Sequence, residues 1–217
     1  ANTIQGVGVE GGIAYRGHSV ILTTGTFLKG KIHVGDFSYS AGRSGDTAAE
    51  KASEGLASIG FELGRLKTGT PPRVNGRTID FAELEEQPGD EPPRPFSYAV
   101  DKIEQEQIPC WVTYTNDHTH QLIQDNLARS AMHSGKIEGI GPRYCPSIED
   151  KVVRFADKDR HQIFVEPEGR RTLEFYINGL SMSLPEELQH QIVRSMPGFS
   201  KAEIMRPAYA VEYDYAP

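Results

Sequence analysis

Cysteine is scarce in this chain: there are two in 217 residues, Cys110 and Cys145, far apart in sequence. That excludes a disulfide-framed secreted scaffold and a cysteine-rich metal centre. No Asn-x-Ser/Thr glycosylation acceptor occurs. Together these absences point to a reducing, cytoplasmic compartment. No apolar run approaches the ~20 residues needed to span a bilayer, so no membrane association is expected. Nor does the chain open on a basic stretch followed by an apolar one, so nothing reads as a signal peptide. His118 and His120 stand two apart with no cysteine or carboxylate at a completing spacing, so no metal site is expected. A Gly-x-Ser-x-Gly elbow is also missing, which removes support for a hydrolase triad.

What remains is ordinary in bulk. Hydrophobic residues make up 37% and charged residues 24% of the chain, enough for one large or two small domains with a real core. The chain opens at Ala1 in a strand-like stretch and closes on strand-like Ala210 to Pro217, from which a segment of a longer protein is expected. The net charge of −7 argues against a wholly basic nucleic-acid binder, but the distribution is uneven. Gly64 to Ile79 holds four basic residues, Arg65, Lys67, Arg73 and Arg77, and no acidic one. Asp80 to Glu106 holds nine acidic residues against two basic ones. Two solvated faces of opposite sign would give the same pattern.

Periodicity gives the elements. Thr3 to Val9 reads as a strand that turns at Glu10-Gly11-Gly12 and returns through Ile13 to Arg16. Val20 to Thr24 is a short apolar, β-rich run ending at Gly25, the pattern of a buried strand. Asp46 to Ile59 predicts a helix capped by Asp46, with Ala49, Ala52, Leu56 and Ile59 on one face. Phe61 to Leu66 reads as a strand running into a rigid loop, Thr68 to Arg73. Gln87 to Pro95 carries four prolines and excludes both helix and central strand. Cys110 to Tyr114 predicts a strand. Asn116 caps a helix to about Ala128 with Leu122, Ile123 and Leu127 inward, and Gly135 to Pro146 reads as a loop. His161 to Val165 reads as a strand, and Pro185 to Met196 as a helix with proline in its first turn. Strands alternate with helices, so the class is α/β with an insertion.

Two glycine motifs fail on context. Gly6-Val7-Gly8-Val9-Glu10-Gly11 matches the dinucleotide fingerprint formally, but a strand return follows where a helix is required. Gly25-Thr26-Phe27-Leu28-Lys29-Gly30-Lys31 matches a phosphate loop up to its last position, where Ile32 replaces the Ser or Thr that holds magnesium. A nucleotide-binding module built on that loop is therefore a weaker alternative, as is a non-catalytic RNA-binding scaffold using Arg65 to Arg77.

The least generic stretch is Gly141-Pro142-Arg143-Tyr144-Cys145-Pro146-Ser147-Ile148-Glu149-Asp150-Lys151-Val152-Val153-Arg154-Phe155. A cysteine lies between prolines and near cations, beside a helix start signalled by Ser147, with Asp150 at capping-box spacing. A helix N-terminus with Arg143 and Lys151 nearby favours thiolate over thiol. The same context also suits a buried structural cysteine.

This stretch closely resembles the signature of the MnmG/GidA family, and the likeness runs along nearly the whole chain. It includes Gly25-Thr26-Phe27 with Gly30-Lys31-Ile32, Gly42-Arg43-Ser44-Gly45-Asp46, Gly64 to Arg73, Thr78-Ile79-Asp80-Phe81, Cys110 to Asn116, Glu166-Pro167-Glu168-Gly169 and Ser183-Leu184-Pro185. The resemblance implies part of a Rossmann-like FAD-binding domain with an inserted α/β domain. On that pattern residues 1–34 belong to the FAD-binding domain, 35–135 to the insertion, and 136–217 to the signature segment and the return. Gly25 and Thr26 fall in the element that approaches FAD, and Gly141 to Phe155 in the segment associated with NADH. Cys145 matches a cysteine proposed to be catalytic. The implied activity is placement of an aminomethyl or carboxymethylaminomethyl group on C5 of wobble uridine 34 of tRNA, with folate as one-carbon source. The implied assembly is a homodimer working with the GTPase MnmE. Arg65, Lys67, Arg73 and Arg77 are the candidate RNA-binding residues. A related alternative is the TrmFO group of folate- and FAD-dependent tRNA methylating proteins. The family's N-terminal FAD fingerprint and its C-terminal region are absent from this sequence, so the segment alone is expected to be inactive.

Overall fold

The structure, a computed structural model, describes residues 3–142 and 146–217. It is mixed α and β, as the alternating pattern predicts. β1 (Gly6–Gly8) and β2 (Ala14–Arg16) form an antiparallel hairpin with Gly6 opposite Arg16, so the first glycine motif is a hairpin and no fingerprint. Lys31 opens β3 (Lys31–Val34), not a helix, which also disposes of the phosphate-loop match.

β3 turns through Gly35 into β4 (Phe37–Ser40), and α1 (Glu50–Ser58) follows. Next come β5 (Gly64–Thr70), β6 (Arg73–Asn75) and β7 (Glu85–Gln87). Residues 88–109 contain no helix or strand, in keeping with their prolines. β8 (Cys110–Tyr114) leads into α2 (Asp117–Gln124), and α3 (Ile148–Arg154) follows a long connection. The remainder is β9 (Gln162–Pro167), β10 (Glu174–Asn178), α4 (Glu186–Arg194), β11 (Ile204–Arg206) and β12 (Tyr209–Tyr215).

These strands build two larger sheets, antiparallel throughout. One has six strands in the order β11-β6-β10-β9-β8-β7; the other has four, β4-β3-β12-β5. Strands from either side of residue 135 meet in both, since β9 pairs with β8 and β12 pairs with β5 along its full length. The main core lies where the six-stranded sheet meets α2, α3 and α4. Val74, Ile163, Val165 and Ile177 from strands pack with Ile123, Ile148, Val152, Leu188, Ile192 and Val193 from helices. Phe81, Trp111 and Phe175 close one side as an aromatic triad, centroids 4.5 to 6.0 Å apart. A smaller cluster, Ile32, Ala41 and Val211, sits under the four-stranded sheet.

Four local expectations need correction. Val20 to Thr24 forms no strand and is largely exposed, with Ile21 85% accessible; among the described residues no strand lies beside it to pair with. Asp46 does not cap α1: the helix starts four residues later, and the Asp46 carboxylate instead takes the Arg43 Nε–H. Its buried face is Ser53 and Leu56, while Ala52 and Ile59 are exposed. Thr68 to Thr70 belongs to β5 rather than to a loop, which is confined to Pro71-Pro72. The two prolines offer no N–H, and Arg73 staples the turn by donating from Nη1 to Thr70 Oγ1 (2.6 Å) and to the Pro71 carbonyl (2.9 Å).

Three expected helix starts hold at residue level. Asn116 caps α2 in a box with Thr119, Ser147 caps α3 in a box with Asp150, and α4 begins directly after Pro185. Among the described residues no helix is long and apolar enough to cross a membrane, and no cluster of three metal-ligating side chains occurs.

Candidate functional site

The segment carrying the resemblance is seated on the edge of β5. Lys67 N–H donates to the Ile140 carbonyl (3.0 Å), and Ile140 N–H donates to the Arg65 carbonyl (3.2 Å), a short parallel bridge. Gly139 makes this approach possible, since a Cβ there would lie 2.7 Å from the Leu66 backbone. Gly141 then lies over the Lys67 side chain, whose Cε would be 3.0 Å from a Cβ at 141. Arg143, Tyr144 and Cys145 fall outside the described residues. The chain resumes at Pro146 and enters α3 through the capping box, Asp150 N–H to Ser147 Oγ and Ser147 N–H to Asp150 Oδ2, both 3.1 Å.

Asp150 is the electrostatic centre of this region. Lys67 Nζ lies 3.6 Å from Oδ2, while His133 Nε2 and Arg154 Nη2 each lie 3.8 Å from Oδ1. Burial works to raise its carboxyl, but Lys67, the Ser147 cap and Arg154 together hold it below the usual range. Three potential cations thus surround one anion beside Gly141. Lys67 Nζ also lies 3.1 Å from Met132 Sδ.

Much of the same segment is structural. Ile148 and Val152 are core residues. Glu149 is wholly buried: its Oε1 accepts from Ser183 N–H (2.8 Å) and Ser130 Oγ (3.1 Å), and among the described residues its Oε2 has no partner. Burial pushes this carboxyl up toward the neutral acid, against the lowering effect of its hydrogen bonds. Lys151 donates to the Gly179 carbonyl (3.3 Å). Val153, Arg154 and Phe155 are exposed.

Gly25 and Thr26 sit apart from that centre. Gly25 is exposed at φ +53°, with open space where a side chain would be. Thr26 Oγ1 donates to the Gly42 carbonyl (2.6 Å), tying this element to the Gly42–Asp46 turn.

That turn borders the second notable feature, a polar cleft of about 270 Å³. It gathers stretches remote in sequence: Arg43 and Asp46, then Arg73, then Glu168 and Glu174, then Arg206 and Tyr209. The Tyr209 hydroxyl accepts from Ser44 N–H (3.2 Å). Each guanidinium is held at Nε by a carboxylate: Arg43 by Asp46, Arg73 by Glu168 (2.5 Å) and Arg206 by Glu174 Oε2 (3.2 Å). The back of the Arg206-Tyr209 turn is fixed by buried Gln189, which accepts from Ala208 N–H (2.7 Å) and donates to the Ala208 and Leu184 carbonyls.

The four candidate RNA-binding cations are not one free patch. Arg65 bridges buried Glu212 (3.3 Å) and Asp214 (2.9 Å). Glu212 in turn contacts buried His33, whose pKa burial lowers despite that carboxylate. Lys67 faces Asp150, and Arg73 lies in the cleft and stacks over Tyr176 at 4.5 Å. Arg77 alone of the four is exposed. The charge pattern did not foresee Lys67 as a partner of the Gly141 segment, nor His133, Arg206 or Tyr209 as site residues. A composition count cannot see strand pairing, which brings them together.

The Glucose inhibited division protein A family model matches residues 1–217. The chain belongs to this family. Within it, the chain is 57% identical over 212 residues to the tRNA uridine 5-carboxymethylaminomethyl modification enzyme MnmG of Geobacter metallireducens, covering 98% of this chain and 34% of that protein. It is 58% identical over 213 residues to the protein of that name from Exiguobacterium sibiricum, again covering 98% and 34%. Aquifex aeolicus GidA in its form I crystal superposes with a TM-score of 0.88 at 51% identity, covering 98% of this chain and 36% of that one. The chain therefore spans about a third of the length of the family members it matches.

Proposed function

We propose that this chain is the central part of a flavin-dependent enzyme that, with the GTPase MnmE, modifies C5 of wobble uridine 34 in tRNA. The observation that carries the reading is the Gly141–Phe155 segment seated on β5, in a chain more than half identical to proteins named for tRNA uridine modification. Residues 1–34 contribute to the FAD-binding domain, 35–135 to the insertion and 136–217 to the nicotinamide segment and the return. The division follows function, not sheet membership. The enzyme works in the cytoplasm as a homodimer.

The residues suit the two cofactors. Gly25 leaves its backbone open to approach by a flat ring, beside the exposed apolar run Val20 to Leu22. Lys67 and Arg154 around Asp150 supply positive charge, and His133 a further ring nitrogen, where the NADH phosphates would be held, beside Gly141. When bound, FAD and NADH would supply reducing equivalents for converting a folate-borne one-carbon unit. The chain's own part is to position the base and activate it. A Cys145 thiolate adds to C6 of uridine and makes C5 nucleophilic, as covalent catalysis on pyrimidines requires. Arg77, the exposed one of the four candidate cations, meets an anticodon-loop phosphate.

Purified full-length protein is expected to carry one flavin per chain and to lose flavin absorbance when NADH is added without oxygen. Lys67→Met should weaken NADH about tenfold, as loss of one charged contact does, and leave flavin content unchanged. A colourless full-length protein that binds neither ligand overturns the cofactor assignment.

A further inference from the structure

The arginine-lined cleft is the least expected feature of the molecule. Three arginines and three carboxylates line it, so its formal charge is balanced. Phosphodiester backbones are drawn by excess positive charge, and this cleft offers none. What it offers is directed hydrogen bonding. Among the described residues, the Nη groups of Arg43 and Arg206 make no hydrogen bond, and neither do Asp46 Oδ1 and Glu168 Oε2. The Arg43–Asp46 pair thus presents N–H donors beside a carboxylate oxygen, and Arg206 Nη and Glu168 Oε2 add a donor and an acceptor, the complement of a ring edge that alternates C=O and N–H. A volume of about 270 Å³ is room enough for one base.

We infer that this cleft receives the uracil ring of the target nucleotide. Arg43 and Arg206 donate to O2 and O4, and the carboxylate of Asp46 or Glu168 accepts from N3–H. The inference rests on the tRNA-uridine reading above and names the place where that base is read. A base in a duplex stack hides these edges from a pocket, so the nucleotide enters extruded, from a single-stranded loop.

The test uses the full-length protein and anticodon stem–loops carrying uridine, 3-methyluridine or 4-thiouridine at the wobble position. Irradiated 4-thiouridine is expected to crosslink to peptides containing residues 42–46 or 206–209; crosslinks confined to other peptides overturn the inference. Uridine is expected to be modified and 3-methyluridine rejected by about tenfold or more, since its N3 no longer donates and a built polar site is left unpaired. Arg43→Met and Arg206→Met, both on exposed side chains, should lower the modification rate by about tenfold while the stem–loop Kd stays within about twofold. Equal processing of uridine and 3-methyluridine, with Kd weakened alike in both variants, makes the cleft a phosphate site and overturns the inference. If wild-type protein crosslinks through the cleft yet modifies no wobble uridine, the function reading fails and the base site stands.

Discussion

Glu149→Leu is expected to destabilise the protein by about 2 kcal/mol, because it strands the Ser183 N–H in the core without an acceptor and leaves the Ser130 hydroxyl only Ser183 Oγ. Glu149→Gln, which keeps an acceptor oxygen in the same shape, should cost under about 1 kcal/mol near neutral pH. The contrast follows from the burial that drives the wild-type carboxyl toward its neutral form. The sign of the pH dependence is opposite to that of a surface carboxylate. Because the folded pKa is raised, the stability contributed by Glu149 is complete below the unfolded carboxyl value of about 4.3 and is lost as pH rises through the folded value. The Gln variant should therefore gain on wild type in thermal midpoint as pH rises above the unfolded carboxyl value. A Leu variant as stable as wild type, or a Gln–wild-type difference flat with pH, contradicts this account.

Gln189→Leu carries the second large effect. This side chain is fully buried and serves the Ala208 N–H, the Ala208 carbonyl and the Leu184 carbonyl at once. An apolar isostere leaves three backbone groups unsatisfied, so a loss of about 2–4 kcal/mol is expected. The damage is local to the turn that presents Arg206 and Tyr209 to the cleft. Hydrogen exchange should quicken at Ala208 and along the first residues of β12, ahead of α2 and the aromatic triad. Uniform exchange throughout would mean the turn is not separately anchored.

How far the sequence was readable depends on whether the deciding physics was local. Asn116 with Thr119, and Ser147 with Asp150, bond within four residues, and both capping boxes are legible as spacing. The Gly6–Gly11 hairpin and the failed phosphate loop were likewise decided by the next few residues. Asp46 shows the limit: cap chemistry is present, but Arg43 competes for the carboxylate and the helix starts later. Val20 to Thr24 has strand composition without a partner strand, and a strand is a property of a pair.

The candidate sites divide the same way. The Gly141–Phe155 stretch stands out by composition, yet its seating on β5 depends on Lys67, seventy-four residues before Gly141. A charge count placed Arg65 and Lys67 in a basic surface. β12 then set Glu212 and Asp214 opposite Lys67 and Arg65, and Arg65 bonds both carboxylates. The cleft has no sequence signature of its own because its ion pairs span up to ninety-five residues.

The most direct measurement of the central claim is made in the host that carries the parent gene. With the gene deleted and restored either as wild type or as Cys145→Ser, tRNA nucleosides are resolved by mass spectrometry. Deletion is expected to remove the C5-substituted wobble uridine, wild type to restore it and Cys145→Ser to leave it missing. Unchanged wobble uridine in the deletion strain, with 5-methyluridine lost instead, would contradict the account and assign the chain to folate-dependent tRNA methylation.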